Sequence, residues 1–81
     1  MIEQGQMWRH VKRGSVYFIM AVDAHIQTAF LEKENPLLAA EMEAADWIAY
    51  TDGKKIFFRM REEFLDGRFV RVTGGEDSNK V

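Results

Sequence analysis

Eighty-one residues with a net charge of −2, 47% apolar and 12% aromatic side chains, and no cysteine leave room for one small domain. A chain this short buries about 60–65% of the surface its unfolded form exposes, so its stability is on the order of 5 kcal/mol unless it assembles with itself. The composition excludes a disulfide framework, a thiolate zinc site and a thiol nucleophile, and it is too rich in aromatic residues for a disordered segment.

Residues 1–4 are polar enough to be loose, and Met1-Ile2-Glu3-Gln4 lacks the apolar core of a signal peptide. The pattern Gln6-Met7-Trp8-Arg9-His10-Val11 reads as a strand, with Met7, Arg9 and Val11 on one side and Trp8 and His10 on the other. Lys12-Arg13-Gly14-Ser15 makes the tip of a hairpin, where Gly14 supplies the positive φ of a tight turn. Val16 to Val22 is apolar at every position, which predicts a strand buried on both faces and sharply bent. It is also the longest apolar run, about a third of the length of a membrane helix, so a soluble protein is expected.

Thr28 to Ala45 breaks the β pattern. Asn35-Pro36 is a good helix start, and Leu37 to Ala45 has high helix propensity, with Leu38, Met42 and Ala45 on one face. A helix this short needs a docking partner, and the same chain is expected to supply it through the Leu/Met face. Trp47 to Thr51 and Lys55 to Arg59 then form a hairpin around Asp52-Gly53, a signal for a primed turn. Met60 to Leu65 makes one helical turn, Asp66-Gly67 a corner, and Arg68 to Val72 the fifth strand. Residues 73–81 have no apolar pattern and read as a flexible tail.

The expected fold is therefore mainly β: a five-stranded, SH3-like, partly open barrel over residues 1–72, with a short helix in the acidic insert 28–45 between strands two and three. The OB-fold places its helix between strands three and four, where this chain has only Asp52-Gly53-Lys54. Charge divides along the same lines. The strand-bearing segments Gly5–Gln27 and Asp46–Val72 sum to +3, whereas Thr28–Ala45 sums to −3.

Two stretches carry a resemblance. Gly5-Gln6-Met7-Trp8-Arg9-His10 with Lys12-Arg13-Gly14-Ser15-Val16-Tyr17 is similar to the opening of small uncharacterised proteins of bacteriophages and bacterial prophages. Arg59 followed by Glu62-Glu63-Phe64 and Asp66-Gly67-Arg68-Phe69 resembles their closing motif, with Met60 where those proteins commonly have Pro. The resemblance frames Gly5 to Val72 and implies a small β-barrel of phage or prophage origin; together with the lack of cysteine, which fits a reducing compartment, the cytoplasm of a bacterial host is expected. The resemblance implies no activity.

Candidate chemistry is sparse. Asp23 and His25 share a strand face, a common second-layer arrangement around a metal, but His10 is the only other imidazole. Ser15 and Ser78 have no base placed near them, Glu62 and Glu63 diverge on adjacent helical positions, and no Gly-rich phosphate loop is present. No cofactor, no metal and no enzymatic activity are expected. Partners are expected to be another protein or a second copy of the chain, and no membrane. The alternative is single-stranded nucleic acid on a basic aromatic face, with Trp8, Tyr17, Tyr50 and Phe57 stacking on bases. The candidate interaction surface is Trp8, Arg9, Lys12, Arg13, Tyr50, Lys54, Lys55, Arg59 and Arg68.

Overall fold

A computed structural model describes residues 1–72, and the tail expected at 73–81 lies outside them. Strands β1 (Met7–His10), β2 (Val16–Ala24), β3 (Trp47–Thr51), β4 (Ile56–Met60) and β5 (Phe69–Val72) form within the five segments whose apolar pattern predicts them. Helix α1 (Pro36–Ala44) follows a 3-10 turn at Ala29–Leu31, and the single turn α2 (Arg61–Phe64) precedes β5. The strands make one antiparallel sheet in the order β4-β3-β2-β1-β5, with β4 and β5 as its edges, so the sheet is not closed.

Register shifts between Ile19 and Ala24 bend β2 and curl the sheet around its inner face. That face presents Tyr17, Ile19, Ile48, Tyr50 and Phe69, with Trp8, Val22 and Phe57 packed beside them, and α2 drives Phe64 into the centre. The rings meet edge to face except for two stacked pairs, Phe64 on Phe69 at 4.1 Å and Tyr50 on Phe57 at 5.5 Å.

Four expectations need correction. Residues 1–4 are not loose: Ile2 is 3% exposed in the core, because Gly5 turns the chain at φ +92° and sends it back across the inner face. Gln6 fixes that turn, its side-chain Oε1 accepting from the Glu3 amide at 3.0 Å and from Trp8 Nε1 at 2.9 Å. Second, β2 is buried on one face only; Val16, Phe18 and Met20 alternate outward and are 37–43% exposed. Third, the β3–β4 loop has four residues, since Thr51 pairs with Ile56. The Asp52 carboxylate accepts from the amides of Lys54 and Lys55, both at 2.9 Å, and this Asx turn replaces a two-residue primed turn.

The fourth concerns α1. Its start is as expected: Asn35 Oδ1 accepts from the Leu38 amide at 3.1 Å and Pro36 takes the first helical position. It docks within the chain, on the 3-10 turn through Ala39 and Glu43 and at the end of the sheet through Met42, whose carbonyl accepts from Trp47 Nε1, while Leu38 only borders the cavity there. Buried Thr28 donates its hydroxyl to Glu43 at 2.6 Å, and its amide donates to the same carboxylate at 3.1 Å. Leu38 stays 41% exposed. The insert is thus a helical arm standing beyond the end of the β2–β3 ribbon, where Ala24 pairs with Trp47.

Candidate functional site

The structure divides the nine expected contact residues into two groups. Tyr50 is 4% exposed and Trp8 is half-buried, its ring edge-on to Phe64 at 5.5 Å, so both belong to the core. Arg59 also turns inward. Its Nε donates to the Tyr50 hydroxyl at 3.2 Å and its guanidinium lies over the Phe69 ring at 5.6 Å, bridging the seam between the two edge strands. These three are corrections to the expected surface, and their cause is common: a core this small draws on every ring and stem on the concave face. Tyr17 and Phe57 line the same interior, so the rings expected to stack on bases are occupied with one another.

The other six are exposed: Arg9, Lys12, Arg13, Lys54, Lys55 and Arg68. They gather at one end of the strands, because the β1–β2 tip, the β3–β4 loop and the corner before β5 all lie there. A depression of about 580 Å³ is lined by His10, Val11, Lys12, Arg13, Asp66, Gly67 and Arg68. Asp66 pairs with Arg68 Nε at 3.1 Å and accepts from the Arg68 amide at 3.2 Å, so this acid shapes the corner. His10 Nδ1 accepts from the Arg13 amide at 3.1 Å. Partial desolvation and the cations Arg13, Arg59, Arg68 and Lys12 hold its imidazole below the ordinary histidine value.

That environment sets an acid limit. The His10 imidazole binds a proton less readily in the folded chain than in the unfolded one. Its contribution to stability is therefore complete above pH 6.5, the ordinary value, and is lost as pH falls from there through the depressed value. Glu43, held down by the Thr28 hydroxyl and amide, and Asp52, held down by the Lys55 and Lys54 amides, act in the same direction below pH 4.5 and 3.8. The melting midpoint is expected to fall in two stages between pH 7.5 and 3.5, and His10→Asn, which keeps an acceptor at the Nδ1 position, to flatten only the first. A midpoint unchanged from pH 7.5 to 5 contradicts the assignment.

The outward face of the sheet is where the structure departs furthest from expectation. Cross-strand register aligns Val72, Met7, Phe18, Thr51 and Ile56 in one row across all five strands. Val70, Arg9 and Val16 form the row on the basic side, and Ala49 with Phe58, next to Met20, continues the surface on the other. Met7, Val16, Phe18, Met20, Ile56, Phe58 and Val70 are each 37–56% exposed. Arg9 is the one charged side chain in these rows. At the far end Trp47 and Met60 pair, and with Leu38, Glu41 and Met42 of α1 they line a cavity of about 240 Å³. Trp47 Nε1 donates to the Met42 carbonyl at 2.7 Å, fixing α1 as a wall at that end of the apolar floor.

A signal for this face was present in the sequence. β2 and β4 are apolar at successive positions, which supplies more apolar side chains than one concave core of this size encloses. His25 lies 3.9 Å from Glu43, and among the described residues no three metal-binding side chains converge. Nor is any helix among them long and apolar enough to cross a membrane. No protein-family model, curated protein or solved structure matches this chain.

Proposed function

We propose that this chain is a non-enzymatic protein-contact module of phage or prophage type, acting in the cytoplasm of a bacterial host. It is an SH3-like, partly open barrel, a reading supported by the strand order and by the helical turn before the last strand. The outer face of its sheet is the contact surface. One observation carries this: an outward face that crosses the sheet with seven exposed apolar side chains on β1, β2, β4 and β5, only Ala49 and Thr51 between them on β3, and a single charge in its rows. Single exposed apolar residues are ordinary on a protein surface; a contiguous patch of this size marks an interaction site. The single-strand alternative retains the basic end but loses the inward rings that were to carry the stacking.

The test is photocrosslinking in the bacterial cell with benzoylphenylalanine placed at position 18 or 58, outward on β2 and β4, and at position 63, exposed on α2 away from the outer face, as a reference. Covalent adducts of higher mass are expected from 18 and 58 and not from 63. No adduct from either outward position overturns the reading.

A further inference from the structure

From the outer face, its boundary and the placement of charge, we infer that its occupant is a second copy of this chain, packed face to face with its strands antiparallel. The inference rests on the contact-surface reading above and names the partner. The exposed parts of the seven apolar side chains amount to on the order of 600 Å² per chain, at the upper end of what a monomer leaves in water. With the charged ends added, that approaches the ~800 Å² per partner of stable interfaces. Pairing along an edge strand does not meet the same need. Covering β4 alone leaves Met7, Val16, Phe18, Met20 and Val70 in solvent, because they lie on β1, β2 and β5.

Charge selects the orientation. Arg9, Lys12 and Arg13 lie at the start of β2 and have no carboxylate partner among the described residues. Glu32, Glu34 and Glu41 lie on the arm beyond its end, and they too have no cationic partner there. Two sheets packed face to face are related by a two-fold axis lying between them, either along the strands or across them. Along the strands, the axis brings basic tip onto basic tip and acidic arm onto acidic arm. Across them, it brings each tip onto the other copy's arm.

The spacing fits the second arrangement. Residues 12–14 and residues 24–25 lie about equally far along β2 from the middle of the patch at Phe18 to Met20, on the order of 15–20 Å at 3.3 Å per residue. An axis through that middle sets each tip beside the other copy's arm. α1 rises on the outer side of the sheet, shown by the cavity it shares with Trp47 and Met60, so Glu41 borders the same floor on which Arg9 stands. The two ends also match in apolar groups. Phe30 and Leu37 are 73% and 79% exposed on the arm, and Val11 and Leu65 are 57% and 46% exposed near the cations. Each copy thus carries both halves of a complementary pair, repeated twice by the symmetry.

Sedimentation and light scattering of the full chain test this. A mass of two chains is expected at micromolar concentration, with dissociation promoted by raising salt from ~50 mM to ~500 mM, where surface attraction is screened. Arg9→Glu with Arg13→Glu, and separately Glu34→Lys with Glu41→Lys, are each expected to weaken the dimer at least about tenfold, and mixing the two variants is expected to restore a heterodimer. A dimer indifferent to both reversals, or strengthened by salt, overturns the antiparallel arrangement. A monomer at ~200 µM with native circular dichroism overturns the second copy as occupant. In that case, crosslinks from positions 18 and 58 to another protein leave the contact-surface reading standing, whereas their absence removes it as well.

Discussion

Phe64→Ala is expected to abolish cooperative unfolding at room temperature. Phe64 is fully buried, stacked on Phe69 at 4.1 Å and within 5.5 Å of the Trp8 and Tyr50 ring centres. It arrives from α2, a single turn held by the Leu65 amide bonding to the Arg61 carbonyl. No neighbour can move in to fill the space, because each surrounding ring is fixed by its own strand. Removing a buried Phe costs about 3–5 kcal/mol, and the whole domain is worth on the order of 5. Near-ultraviolet circular dichroism should therefore lose its aromatic signal in the Ala variant, while Phe64→Leu keeps a reduced but cooperative melt. A Phe64→Ala chain melting within ~5 °C of the parent contradicts the packing described here, since 1 kcal/mol already shifts a domain of this size by about that much.

The second large effect falls on assembly and not on folding. Phe18→Glu combined with Phe58→Glu places two carboxylates in the middle of the outer face. Those side chains are 43% and 51% exposed, so the folded monomer should lose only about 1 kcal/mol, mostly from strand propensity. The sedimenting mass should fall from two chains to one, with the aromatic circular dichroism intact. The neighbouring substitution Tyr17→Glu gives the contrast. Tyr17 points to the other face of the same strand, touches Tyr50, Phe57 and Phe69, and its replacement by a carboxylate should unfold the chain. Adjacent positions thus have opposite outcomes. A Phe18→Glu, Phe58→Glu chain that unfolds as Tyr17→Glu does would show that the outward face is core after all.

Much of the architecture is legible in the chain. Strand alternation, Asn35-Pro36 and the Asp-Gly corners are local signals, and each marks where an element begins or the chain turns. The departures are tertiary. Nothing in Met1 to Gln4 shows that Ile2 returns to the core, because that depends on Gly5 turning the chain across a face formed by distant strands. Likewise Thr28 and Glu43 read as separate polar residues, and only the fold sets a buried hydroxyl 2.6 Å from that carboxylate.

The contact surface differs from expectation for a related reason. Trp8, Tyr50 and Arg59 have the chemistry of binding residues, yet an aromatic or a long cationic stem fills a small core equally well, and sequence gives no means of ranking the two uses. The doubly apolar β2 was the stronger clue. Within a single sequence it reads as burial inside the chain, although burial against a partner makes the same pattern.

Oxidation of Met7 and Met20 tests most directly whether the outer face is covered in the working protein. Both sulfurs belong to outward residues, 40% and 37% exposed in the single chain, and Met1 at 100% is an internal reference. Under dilute peroxide at a concentration where the parent is assembled, with the products read by peptide mass spectrometry, Met7 and Met20 should oxidise several-fold more slowly in the parent than in the Phe18→Glu, Phe58→Glu variant, while Met1 reacts equally in both. Equal rates at Met7 and Met20 in the two proteins would contradict the account.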